Sequence, residues 1–126
     1  MKKNVVTLEN LLEEIIQIGD ANKAFDIRAY SAKDTSITDY FLLLSVNNHV
    51  HGKSTLFKLS EKIKELINTD SSYFYDKLRI SGKPESGWVV IDMSSIIIHI
   101  LDTQARDLYE IDDLFEQKGV VYHKNN

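Results

Sequence analysis

Residues 82–101 read GKPESGWVVIDMSSIIIHIL, and they hold the only tryptophan, the only proline and the densest β-branched run of the chain. Trp88-Val89-Val90-Ile91 and Ile96-Ile97-Ile98-His99-Ile100 read as two strands around a turn at Asp92-Met93-Ser94-Ser95. A loop of two or four residues would set Trp88 opposite His99, Val90 opposite Ile97 and Asp92 opposite Ser95. Alternation puts Val89, Ile91, Ile96, Ile98 and Ile100 on one wholly apolar face. The other face mixes Trp88, Val90, Ile97 and Leu101 with Asp92, Ser95 and His99. An apolar face carrying a Trp, a His and an Asp has the make-up of a recognition surface.

Outward from this hairpin, the rest of the chain supplies helices to cover it. Leu8, Leu11, Leu12, Ile15 and Ile16 form one helical stripe, with Thr7 as N-cap and Gly19 as stop. Residues 25–30 alternate as a strand, residues 31–38 are a polar connection, and Tyr40-Phe41-Leu42-Leu43-Leu44-Ser45-Val46 is a buried strand. A second helix is predicted from Ser54, with Leu56, Leu59, Ile63, Leu66 and Ile67 inward. Residues 73–75 start a strand or cover the core, and residues 77–80 form a short strand. Past the hairpin, Asp102 or Thr103 caps a third helix with Ala105, Leu108, Tyr109, Ile111 or Asp112, and Leu114-Phe115 as its contacts; residues 120–126 are a tail that frays. The order α-β-β-α-β-β-β-α predicts an α/β (α+β) domain, a single mixed sheet of about five strands flanked by helices.

At 126 residues the chain is one domain, able to bury about two-thirds of its unfolded surface. With no cysteine, disulfide scaffolds, thiolate metal sites and thiol chemistry are excluded. The apolar runs are only strand length, so no membrane span is expected, and the charged start, followed at once by an acidic amphipathic helix, does not read as a targeting signal. A net charge of −4 argues against nucleic acid as the direct partner and suits a basic protein.

Two motifs carry a competing chemistry. Gly52-Lys53-Ser54-Thr55 follows an apolar strand where a phosphate-binding loop would sit, and Val89-Val90-Ile91-Asp92 imitates the metal-holding strand of such enzymes. The full motif needs a glycine where Asn47 stands, and Asp92 lies in a hairpin; the alternative is Ser54 as a helix cap. His49, His51 and Asp39 offer metal-ligand atoms but no further fixed ligand. There is no serine elbow, no HExxH and no paired carboxylates of catalytic spacing, so no catalytic residue is assigned. Asp102, Asp107, Glu110, Asp112, Asp113 and Glu116 crowd the last helix around Arg106, either as a solvated face or as a docking rim for a cationic partner. Arg106 is expected to bridge its helix to Asp92 or a neighbouring acid. For Trp88 a core position and an interface anchor weigh evenly.

Asp34-Thr35-Ser36-Ile37-Thr38-Asp39-Tyr40-Phe41, Gly82 five residues before Trp88-Val89-Val90-Ile91-Asp92, His99-Ile100, and Arg106-Asp107-Leu108-Tyr109 with Asp113-Leu114-Phe115 together resemble the ribosomal silencing factor (Iojap-like) family. The resemblance covers about residues 7–116, leaving 117–126 as a C-terminal tail. It departs at Ser81, Leu101 and Phe115, where the family commonly has Glu, an aromatic residue and Trp, and residues 47–55 match poorly. It implies a nucleotidyltransferase-like core without the catalytic motif, in a cytoplasmic, non-enzymatic translational repressor needing no cofactor or metal. Such a protein binds the large ribosomal subunit through its fourteenth protein and blocks joining of the small subunit. The partner-binding residues carried over are Asp39, Tyr40, Trp88, Asp92, His99, Arg106 and Tyr109, with Asp39 and His99 as supports behind the surface. The readings kept beside it are a small nucleotide-binding protein using residues 52–55 and a structural homodimer joined by the hairpin face.

Overall fold

The computed structural model describes residues 7–32, 37–69, 78–115 and 119–124, with no side chains described for 67–69. Residues 34–36 of the quoted motif, residues 73–77, Glu116 and Lys118 lie outside that set. The described elements are α1 (Leu8–Ala21), β1 (Phe25–Ser31), β2 (Tyr40–Val46), α2 (His49–Thr69), β3 (Arg79–Lys83), β4 (Trp88–Asp92), β5 (Ile96–Asp102), α3 (Thr103–Leu108), α4 (Ile111–Phe115) and β6 (Val120–Lys124). The strands make one mixed sheet in the order β3-β4-β5-β2-β1-β6. Only β2 and β5, at its centre, run parallel; every other neighbouring pair is antiparallel. The parallel pair is apolar on both faces because helices cover both, and β2 is buried along its whole length.

One face of the sheet packs on α1 and α2. Leu11, Ile15 and Ile16 of α1 and Leu59 and Ile63 of α2 meet Leu42, Leu44, Ile91, Ile96, Ile98 and Ile100. The apolar hairpin face read from the sequence is therefore the main core. The second face carries a smaller core, in which Tyr30, Phe41, Leu43 and Leu101 pack under Ala105, Ile111 and Phe115 of α3 and α4. That face is half roofed, not open, and Trp88 and Ile97 sit at its margin.

Several expectations are corrected. The hairpin pairs Trp88 with Leu101, Val90 with His99 and Asp92 with Ile97, two residues away from the predicted register. The turn takes Ser94 into positive φ (72°) and closes with the Met93 N–H on the Ile96 carbonyl at 3.1 Å, so Ile96 belongs to the closure. Because the slip is by two residues, every side chain keeps its face. Helix α2 begins at His49, not near Ser54: the Asn48 carboxamide oxygen accepts from the His51 N–H at 2.9 Å and caps it. Gly52 lies inside that helix, buried against Val46 and Pro84. The last helix is two helices, because Glu110 takes a φ of 46° and turns the chain between them. Residues 120–124 are no loose tail: they form β6 on the outer edge of β1, secured by Lys124 on Asp20 at 2.8 Å and His123 on Asp26 at 2.9 Å. The sheet thus has six strands where about five were predicted.

Candidate functional site

The site is built where β4 leaves its connection from β3. Pro84–Ser86 form one 3-10 turn that ends at Gly87 with φ 85°, a conformation open to glycine at little cost. The Asp102 N–H donates to the Gly87 carbonyl at 2.9 Å, tying the start of β4 to the end of β5. Trp88 emerges half-buried, and its indole Nε1–H donates to His99 Nδ1 at 3.1 Å. Its ring lies 5.1 Å from that of Tyr109, tilted by 43°. Behind it, the His99 ring packs against Phe41 and Phe115. Burial holds the His99 imidazole at about pKa 4, so it is neutral at physiological pH.

Along the chain on either side of Tyr109, exposed apolar and acidic side chains alternate, while exposed Lys83 stands across from Trp88 on β3. Leu108, Tyr109 and Leu114 are 73%, 54% and 66% exposed. Ser81, Gly82, Ser86, Trp88, Val90 and Tyr109 line an open depression of about 260 Å³. Asp107, Glu110 and Asp113 are exposed beside the leucines. Asp102 and Asp92 serve the fold. Asp102 caps α3 by accepting from the Ala105 N–H at 2.8 Å, and Asp92 accepts from the Ser94 N–H at 2.9 Å in the hairpin turn.

Arg106 is 5% exposed and holds the roof of the second face. Its guanidinium donates to both Asp112 oxygens, Nε to Oδ2 at 2.8 Å and Nη2 to Oδ1 at 2.9 Å. Nη1 donates to the Asp26 carbonyl at 2.6 Å and to Ser45 Oγ at 2.8 Å. Of the expected partners, Asp92 or a neighbouring acid, the bridge is made to Asp112, across the turn at Glu110. Burial alone would raise the carboxyl pKa values of Asp26 and Asp112, yet both are lowered. His123, Arg106 and Arg28 outweigh burial at Asp26; Arg106, Tyr30 and Arg28 do so at Asp112.

Of the seven predicted residues, Trp88, His99 and Tyr109 converge, and Asp92 lies on the same face at the far end of β4. Arg106 faces the interior. Tyr40 is on the opposite face, buried, with its hydroxyl donating to Glu9 at 2.8 Å. Asp39 is half-buried at the entry to β2, where its N–H donates to the Ser95 carbonyl and its carbonyl accepts from Ala32. Helical spacing places Leu108 and Leu114 among the helix contacts, whereas both are largely exposed. An unbroken helical period through Tyr109-Glu110 gave the wrong phase.

The competing motifs have structural employment. Residues 52–55 lie within α2, and the Thr55 hydroxyl donates to the His51 carbonyl and accepts from Asn22, so no phosphate-cradling loop stands there. Both ring nitrogens of His51 are engaged, Nδ1 by the Asn47 N–H at 3.0 Å and Nε2 by the Asn22 carbonyl at 2.7 Å. Among the described residues, no group of three or more His, Cys, Asp or Glu side chains is placed to hold a metal.

Fold and surface together define a small α+β domain with a half-exposed Trp88–Tyr109 pair beside an open depression. The family model for the ribosomal silencing factor during starvation matches residues 5–126, and the chain belongs to that family. It is 27% identical over 108 residues to ribosomal silencing factor RsfS of Zymomonas mobilis, covering 85% of this chain and 76% of that one. A mouse protein named mitochondrial assembly of ribosomal large subunit protein 1 is 28% identical over 78 residues, 62% of this chain and 32% of the mouse protein. A crystal structure of a Chromobacterium violaceum protein superposes with a TM-score of 0.73 at 20% identity over 87% of each chain, a likeness of fold.

Proposed function

We propose that this protein is a cytoplasmic translational repressor that docks on the large ribosomal subunit, through its fourteenth protein, and stands in the way of the small subunit. The observation that carries this reading is the Trp88–Tyr109 ring pair at the surface, with Leu108, Leu114, Asp107, Glu110 and Asp113 exposed on the same stretch of chain as Tyr109. An aromatic pair with acids on the same stretch of chain suits a basic protein partner: the rings supply desolvated contact area, and the acids steer the encounter. The name of the mouse relative, which couples it to the large subunit, supports the choice of subunit. Asp92 extends the same face, while Arg106, Asp39 and Tyr40 act by holding the scaffold. No catalytic step is needed for a repressor that works by occupying space.

The test is sedimentation with purified large subunits at near-physiological salt, followed by a subunit-joining assay. The wild-type protein co-migrates and suppresses joining, and Tyr109→Ala, a change at an exposed position, weakens both. No co-migration, or full joining in excess protein, would sink the reading. A second reading, that two copies pair through this face when no ribosome is present, is favoured by the exposure of Leu108 and Leu114. Under it, the mass in solution at micromolar concentration is that of a dimer and falls to a monomer in Leu108→Asp/Leu114→Asp.

A further inference from the structure

We propose that His99 is the positioning residue of the docking face: its Nδ1 holds the Trp88 indole N–H, so the ring offers its partner apolar and π surface only. This rests on the reading of Trp88 as an anchor given above. An indole nitrogen can only donate, so at 3.1 Å the His99 Nδ1 must be its unprotonated acceptor. The two residues are diagonal neighbours across β4 and β5, since Val90 is the residue that pairs with His99 and Leu101 the one that pairs with Trp88. His99 is itself fixed, buried with its ring 5.8 Å from Phe115 and 6.3 Å from Phe41. Trp88 is therefore held by a buried acceptor at its N–H and by the ring of Tyr109 at 5.1 Å. Holding the ring before the encounter spares the complex the cost of ordering it, and a satisfied N–H asks for no acceptor from the partner. Because burial keeps the imidazole neutral down to about pH 4, the acceptor persists throughout the physiological range.

The chain has one tryptophan, so its indole N–H gives a single proton resonance that reports this bond directly. In wild type that resonance is expected downfield and slow to exchange with water. In His99→Phe, which keeps an aromatic ring but no acceptor, it moves upfield and exchanges faster, and affinity for purified large subunits falls about tenfold. His99→Asn, whose carboxamide oxygen replaces Nδ1, recovers most of both. An unchanged indole resonance in His99→Phe overturns the proposal, as does a folded His99→Phe that binds as well as wild type or better. Should His99→Phe fail to fold, the comparison of wild type with His99→Asn decides. Slow indole exchange in both then supports the bond, and free exchange in wild type refutes it. Trp88→Ala separates the two levels: if it binds like wild type, the anchor reading itself falls and takes this one with it. If it loses binding while folded His99→Phe does not, the anchor stands and only the role of His99 falls.

Discussion

Trp88 shows how a single side chain serves two masters. The indole closes the margin of the second core and at the same time borders the open depression, so its truncation removes both packing and contact surface. Trp88→Ala should cost ~2 kcal/mol of stability, less than the loss at a fully buried Trp, and should abolish sedimentation with the large subunit from a protein that is still folded. Urea unfolding and pelleting on the same sample check this; a chain that no longer folds would make Trp88 part of the core. His99 beside it carries a pH signature. Its pKa falls from 6.5 in the unfolded chain to about 4 in the fold, so the unfolded chain binds the extra proton between these values. The contribution of the neutral ring is complete above pH 6.5 and is lost as pH falls towards 4, up to about 3 kcal/mol. Asp26 and Asp112, whose pKa values are lowered in the fold, act in a second window: their stabilisation is present above the usual carboxylate range and is lost only on further acidification. Urea midpoints measured from pH 7.5 to 4.5 should therefore fall in wild type and stay flatter in His99→Phe.

At the level of elements, the roof made by α3 and α4 is the part that depends most on a single residue. Helices of six and five residues cannot stand alone, and Arg106 joins both of them to β1 and β2. Arg106→Ala removes the bidentate partner of Asp112 and leaves Arg28 as the cation beside both carboxylates, and we expect a loss of ~3 kcal/mol. Amide exchange should show it first in residues 103–115, before the strands. A loss spread evenly over all elements would show that the roof is not a separate unit. Gly82 is the corresponding point on the other side of the site. Its φ is 83°, and a Cβ there would collide with the Trp88 carbonyl, so Gly82→Ala should push β3 off β4 and cost ~2 kcal/mol in urea unfolding.

For the whole molecule, the distribution of charge matters more than its sum. The excess of acids is modest at −4, but Asp107, Glu110 and Asp113 fall together on the short stretch around Tyr109, while α2 carries four of the twelve lysines. Neutralising the three acids together should slow association with the large subunit severalfold at low salt and have little effect near 1 M salt, where exposed charges are screened. Stopped-flow association at several ionic strengths measures this; equal slowing at all salts would point to lost contacts and not to steering.

The sequence by itself determined which residues alternate inward, the strands from residue 25 to 46 and 88 to 100, the first helix with its Thr7 cap, and the family. All of these rest on local periodicity, local capping or residue spacing along the chain, and none needs a distant partner. Tertiary structure alone decided that residues 120–124 join β1 as a strand, since an edge strand is made by a partner far away in sequence. It also decided that Arg106 meets Asp112, that Tyr40 faces away from Trp88, and that Leu108 and Leu114 are left outside. Each of these follows from where the chain breaks at Glu110 or from how a face is roofed, and hydrophobic spacing cannot distinguish a leucine facing its own core from one awaiting another molecule.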